Sequence, residues 1–320
     1  MKSIAFCVFL IIPLSLSSQK RGKLPNPPNG IYLYDNLFID QTEVANIHWL
    51  EFLYFIKRDS SEEYYDKMLP NKMVEQSLVY LKEGDFVMHS FIVKDNERRM
   101  TEFLCCDYFK NHYFRNHPII GVSKWQAEQF CKWRSTVVND RWRKNRPKNH
   151  EAKKKKIGFK VVYRLPTKEE WEYSAQACVD KETFPFGISK LPKTTKWHET
   201  IRRNTLSKNS LNKQEKEALK KFLSLEESKF NLMYERPQFI NYGAITIGPW
   251  HTRASPPNNF EIYSMLDNVS EFVQEDELVK GGSWIHNRDQ VDICRDYSFK
   301  QKTAPWVGFR CVAEIIKIDE

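Results

Sequence analysis

Residues 164–173 read Arg-Leu-Pro-Thr-Lys-Glu-Glu-Trp-Glu-Tyr and follow a strand-forming run that begins at Phe159. Thr167 and Glu170 have the spacing of a capping box, in which the threonine side chain accepts a hydrogen bond from a helical N–H and the glutamate reaches back to the cap. A short strand over 159–164 is therefore predicted to lead directly into a helix that contains Trp171 to Ala177.

Two further helices are predicted upstream of this stretch. Ser123 and Gln126 form a second capping box. The helix that this box opens carries on one face Ala127, Phe130, Cys131 and Arg134. Nearer the N-terminus, the chain from Tyr32 to Asp40 has a strand-like pattern, and Ile47 to Ile56 repeat large apolar residues at helical spacing. These segments predict one compact domain that mixes strands and helices.

Nine segments, in order along the chain, resemble the formylglycine-generating enzyme (sulfatase-modifying factor) family. They are Phe38 to Asp40 with Glu43, Val44 and Asn46; Pro118 to Ser123; Ala127 with Phe130 to Trp133; Arg164 to Thr167 with Glu170 to Tyr173; Phe184 to Gly187; Pro257 to Met265; Asn268 and Val269 with Glu271; Gly281 to Trp284; and Gly308 to Cys311. The resemblance implies an α+β fold with little regular secondary structure, related to C-type lectins, over residues 30–316.

The N-terminus predicts export. Residues 1–18 read as a signal peptide, because a lysine precedes an apolar run that is too short to cross a bilayer and is followed by small residues. Six cysteines lie after this segment, an even number in a chain expected to leave the reducing cytosol. We expect a periplasmic, cell-envelope or secreted protein with no transmembrane segment after cleavage.

Two segments read as insertions. The net charge of +9 is concentrated in residues 141–160, where ten basic residues accompany the single acidic residue Glu151. Residues 141–156 are predicted to form an exposed basic excursion, which suits an acidic surface, and nucleic acid is not expected as a partner of an exported protein. Residues 190–230 are predicted to form a helical insertion that docks through Leu219 and Phe222, either on the domain itself or on an envelope protein partner.

The resemblance also raises the question of copper. In family members that act as copper-dependent oxidases, one cysteine stands two places after the aromatic residue of the Gly-Gly-Ser-aromatic motif, and a second stands five places beyond the first. Those positions hold His286 and Val291 in this chain. Cu(I) prefers soft thiolate ligands, so copper chemistry is not expected here.

A catalytic site of another kind is the alternative. Its candidates are Cys294, His286, Arg295 and Tyr297, which lie close together in sequence. A non-heme iron or other metal site would draw on His286, Asp289, Asp292 and Cys294, although their spacing matches no recognised ligand motif. Calcium is the favoured metal, because Asn268 and Glu271 keep the oxygen side chains of the family's Gly-Asn-Val-Trp-Glu-Trp segment, and hard cations prefer oxygen ligands.

The resemblance further implies a disulfide between Cys131 and Cys311. A second pair, Cys178 with Cys294, has no direct family counterpart and is predicted from the proximity of Cys178 to the Trp171 helix.

Two functions remain open at this point. The first is an exported envelope protein that uses the domain for binding or scaffolding, as the gliding-motility and protein-secretion lipoproteins that it resembles are thought to do, but without their lipidated cysteine. The second is a copper- or iron-dependent enzyme that modifies an exported substrate.

Overall fold

The computed structural model describes residues 24–71, 108–110, 112–144, 157–183, 187, 249–254, 257–284, 286 and 290–319. The predicted signal peptide and the helical insertion at 190–230 lie outside these ranges. Among the described residues, no helix is long and apolar enough to cross a membrane.

The first sheet joins the two ends of the domain. Its strands are β1 (Gly30–Tyr34), β2 (Leu37–Asp40), β3 (Ile157–Arg164) and β8 (Val312–Asp319), in the order β1-β2-β8-β3, and all neighbours are antiparallel. The single strand predicted from Tyr32 is thus a hairpin. Asp35 has a φ of 45°, in the left-handed region, and this breaks the run into two strands.

The described helices are α1 (Asn46–Asp59), α2 (Glu62–Met68), α3 (Lys124–Lys144) and α4 (Lys168–Gln176). The sequence predicts α1, α3 and α4 with starts close to those observed, whereas α2 lies in a stretch for which no helix is predicted. Both predicted capping boxes form: Ser123 N donates to Gln126 Oε1 at 2.7 Å, and Thr167 N donates to Glu170 Oε2 at 2.8 Å. A short 3₁₀ helix spans His112–Phe114.

The basic excursion begins later than predicted. Helix α3 continues to Lys144, so residues 141–144 are helical rather than part of an irregular loop, and 145–156 lie outside the described residues. The helix is long because its inner face supports the edge strand β3. Asn139 accepts from Val161 N at 2.9 Å and donates to Val161 O at 2.8 Å, and Ser135 Oγ accepts from Tyr163 N at 2.8 Å. These side chains satisfy backbone groups that an edge strand otherwise leaves open.

A second sheet carries most of the candidate site. Its strands are β4 (Ser270–Phe272), β5 (Leu278–Lys280), β6 (Tyr297–Ser298) and β7 (Val307–Gly308), in the order β6-β5-β4-β7, with β4 and β7 parallel. The core between the helices and the sheets is aromatic. Trp49 stacks on Phe130 with ring centroids 5.6 Å apart, and both rings meet Phe309 edge-on.

Candidate functional site

The Gly281-Gly282 pair bends the chain sharply after β5. Both residues have positive φ, 96° and 69°. A β-carbon at Gly281 would lie 2.6 Å from the carbonyl oxygen of Met265, and one at Gly282 would lie 2.6 Å from a methyl group of Val291. Only glycine fits both positions, which explains the motif in physical terms.

His286, at the first of the two oxidase cysteine positions, is held by packing and one hydrogen bond. Its Nδ1 lies 2.8 Å from Ser283 Oγ, and its ring centroid lies 4.7 Å from that of Tyr297 and 5.6 Å from that of Trp306. Burial lowers the pKa of His286, the backbone of Ser283 raises it, and the nearby Arg295 lowers it further. The ring is therefore a neutral, packed side chain at pH 7.

Val291, at the second cysteine position, is a core residue. It is buried and belongs to the same apolar cluster as Trp171, Met265 and Ile293. Its contact with Gly282 closes the space between the two chain segments.

The four residues predicted as catalytic are only partly brought together. His286 and Tyr297 are in ring contact, and the Tyr297 hydroxyl donates to Gln290 O at 2.5 Å. Burial raises the pKa of Tyr297, which keeps the phenol protonated. Arg295 is exposed and lies 3.3 Å from Asp292, and Cys294 is an exposed free thiol on a turn. Within the described ranges, no three His, Cys, Asp or Glu side chains converge into a group that could hold a metal ion.

Asn268 and Glu271, predicted as calcium ligands, form a buried polar core with Arg310. Arg310 Nε donates to both oxygens of Glu271 at 2.9 and 2.7 Å, and its Nη2 donates to Oε1 at 2.6 Å. Trp171 Nε1 donates to Oε2 at 2.8 Å. Glu271 is fully buried and its partners are a guanidinium and an indole, so the structure gives it other contacts than the predicted calcium ion. The calcium role of these two residues stays a prediction.

Glu43 is a second buried carboxylate in the same core. Its Oε1 accepts from Asn268 Nδ2 at 2.8 Å, whereas its Oε2 is buried without a hydrogen-bond partner in the described structure. Burial raises the pKa of Glu43 to about 8, against the attraction of Arg310 and with the repulsion of Glu271. One guanidinium faces two buried carboxyl groups, and Glu43 is the one that holds a proton at neutral pH.

Lys280 forms another buried charge cluster, below the Gly281 bend. The lysine is fully buried, and its Nζ lies 2.9 Å from Glu172 Oε1, Asp296 Oδ1 and Arg295 O. Its ammonium also lies 5.7 Å from the Trp171 ring centroid. The cluster ties helix α4 to the chain that carries Arg295, which positions one wall of the site.

The two predicted cysteine pairs differ in placement. Cys131 and Cys311 are buried with their sulfurs 3.4 Å apart, as free thiols in this structure, so helix α3 and the residue just before β8 bring the pair together. Burial and then Cys131 raise the pKa of the Cys311 thiol. Cys178 and Cys294 are both exposed, and the described residues show no contact between them. Both disulfides stay predictions.

Sequence patterns do not reveal the two buried charge clusters, one around Arg310 and one around Lys280. The family motifs contain Glu43, Glu172 and Arg310 but do not indicate that these residues form buried ion pairs, and Lys280 belongs to no motif. A lysine between Val279 and the Gly-Gly pair, in an otherwise apolar strand, is the one signal that could have indicated it.

Fold and site together define an α+β protein in which paired buried charges and a glycine bend stabilise the region of the Gly-Gly-Ser-Trp segment. The family model of the sulfatase-modifying factor enzyme 1-like domain matches residues 13–315. The chain belongs to this family.

Solved structures with partial similarity were also found. Treponema denticola variable protein 1 is 13% identical over 91% of this chain and 92% of that protein, with a TM-score of 0.42. CarF is 16% identical over 91% of this chain and 97% of its own, with a TM-score of 0.41. PvdO from Pseudomonas aeruginosa is 16% identical over 62% of this chain and 63% of its own, with a TM-score of 0.36. A comparison with curated proteins gave no match.

Proposed function

We propose that this chain is an exported envelope protein that uses its domain for binding or scaffolding and does not oxidise peptidyl cysteine. The observation that carries the proposal is the buried Val291 at the second oxidase cysteine position. A branched hydrocarbon side chain offers no donor to a metal, and the side chain packs close to Gly282 in the apolar core.

The first cysteine position supports the same reading. A neutral His286 engaged by Ser283 and packed on Tyr297 provides at most one borderline nitrogen ligand, where Cu(I) prefers two thiolates. Cys294 is near in sequence, but it is exposed on a turn, and one thiol does not make the pair.

The end of helix α3 supports an acidic surface as the partner. Arg141, Arg143 and Lys144 are exposed at this end, and the basic residues of 145–156 follow directly. Clustered positive charge attracts polyanionic surfaces by long-range electrostatics that salt screens.

Copper binding tests the proposal. The purified mature chain is incubated with Cu(I) and titrated with a chromogenic Cu(I) chelator, alongside Cys294→Ser and the matched exposed-thiol control Cys178→Ser. We expect no tightly held copper in any of the three proteins. One equivalent that is retained by the unaltered chain and by Cys178→Ser, but lost from Cys294→Ser, would overturn the proposal.

Export has its own test. Expression of the full chain in a bacterium, followed by fractionation and N-terminal sequencing, should give an envelope or secreted product that begins near residue 19. A cytoplasmic product that retains residues 1–18 would contradict export while leaving the copper result intact.

A metal-dependent enzyme is the second candidate, favoured by the contact of His286 with Tyr297 beside Arg295. Metal analysis of the protein as purified separates the two functions. Stoichiometric iron or copper supports the enzyme, whereas calcium alone does not.

A further inference from the structure

A polar pocket of about 640 Å³ opens at the start of helix α1, away from the Gly-Gly-Ser-Trp segment. Its volume lies in the range of small-molecule binding sites. The polar side chains that would contact a ligand include those of His48, Asn116, His117, His251, Thr252 and Arg253. Residues from α1, from the segment before α3 and from the segment at 249–254 thus meet at one concave surface.

The lining presents mainly hydrogen-bond donors. His48 Nδ1 accepts from Ala45 N at 3.2 Å, so in the neutral ring the proton is on Nε2. Arg253 gives one N–H to Gln41 Oε1 at 2.8 Å, which orients the guanidinium and leaves other N–H groups for a ligand. The Thr252 hydroxyl and the Asn116 amide make no side-chain hydrogen bond within the described part of the chain.

Among the described lining residues, Arg253 carries the positive charge of the pocket. None of the described lining residues is a carboxylate, and among described residues Arg253 has no ion-pair partner. Burial, with the nearby His251, lowers the pKa of His117 to about 3, and burial lowers the pKa of His251 as well. Asp40, Glu43 and Glu51 instead line a second pocket of about 210 Å³, which shares Asn29 and His48 with the first.

We infer that this pocket binds a sugar-sized organic monoanion, with Arg253 pairing its carboxylate and the hydroxyl, amide and imidazole groups binding its polar body. A single guanidinium among neutral donors favours one negative charge over two, and it pairs well with the planar carboxylate. The inference goes beyond the proposed function, because it holds whether the domain scaffolds or catalyses.

Calorimetric titration of the mature chain tests it. The probes are glucuronate, galacturonate and N-acetylneuraminate, with glucose and galactose as neutral counterparts. The variants are Arg253→Gln, the conservative Arg253→Lys and Thr252→Val, with Arg58→Gln, an exposed arginine near the other end of α1, as matched control. Thermal unfolding of each variant establishes that it is folded.

We expect at least one acid to bind one to one and its neutral counterpart to bind at least about tenfold more weakly, since a charge-assisted hydrogen bond is lost. Arg253→Gln should weaken binding at least about tenfold, Arg253→Lys should restore part of it, and Arg58→Gln should not change it. Failure of all three acids to bind, equal binding of acid and neutral sugar, or unchanged binding in a folded Arg253→Gln protein overturns the inference.

Discussion

Replacing Glu43 by glutamine should remove a pH dependence from the stability of the fold. In the unaltered protein, Asn268 Nδ2 donates to Glu43 Oε1 at 2.8 Å, and glutamine keeps an oxygen that can accept this hydrogen bond. Glutamine also places an N–H donor where the protonated carboxyl carries its O–H. The substitution therefore imitates the neutral form of a fully buried side chain, and it adds a second N–H that has no acceptor among the described residues, at a cost that does not depend on pH.

The expected magnitude follows from the raised pKa. The carboxyl titrates near 4.5 in an unfolded chain and at about 8 in the fold, so between these values the folded state holds a proton that the unfolded state has released. Stability from this group is complete below pH 4.5 and falls as pH rises toward 8, by about 1.4 kcal/mol per pH unit. Relaxation around a buried group reduces such penalties, so we expect a loss of about 2–3 kcal/mol between about pH 5 and about pH 7.5.

Urea unfolding followed by tryptophan fluorescence at several pH values measures this difference. The free energy of unfolding of Glu43→Gln should rise relative to that of the unaltered protein as pH increases, whereas the exposed-residue control Glu51→Gln should follow the unaltered protein. A Glu43→Gln protein with the original slope, or one that is least stable relative to the original at high pH, would falsify the assignment of the proton to Glu43.

Three further predictions concern the rest of the fold. Arg310→Met should destabilise the protein by about 3–5 kcal/mol, measured by the same urea unfolding, because it leaves Glu271 buried without its cation, and a loss under about 1 kcal/mol would contradict that role. Oxidation of the Cys131 and Cys311 pair, whose sequence separation is 180, should stabilise the chain by about 4–5 kcal/mol. Peptide mapping without reductant detects that bond, and a Cys131 that alkylates freely would exclude it. Deleting 145–156 should leave the melting temperature nearly unchanged, because so many positive charges are not buried unpaired, and a drop of many degrees would show that the segment packs on the core.

The candidate site was predictable only at the level of residue types. The sequence shows that His286 and Val291 stand where the family's oxidases have cysteines, because that is a property of a single motif and its spacing. It does not show that Val291 is packed on Gly282, since the two residues meet through a bend made by positive φ angles. The sequence predicts Glu271 as a metal ligand because the cation that it binds in the structure, Arg310, is 39 residues away in the chain.

The sequence by itself determined where helices α3 and α4 begin and to which family the chain belongs. Helix starts at Ser123 and Thr167 follow from capping groups within three residues, and such short-range hydrogen bonds do not need the rest of the fold. Only the tertiary structure decided which charges are buried together. Glu43, Asn268 and Arg310 come from segments more than 200 residues apart at their extremes, and the desolvation that raises the pKa of Glu43 exists only once those segments close over it.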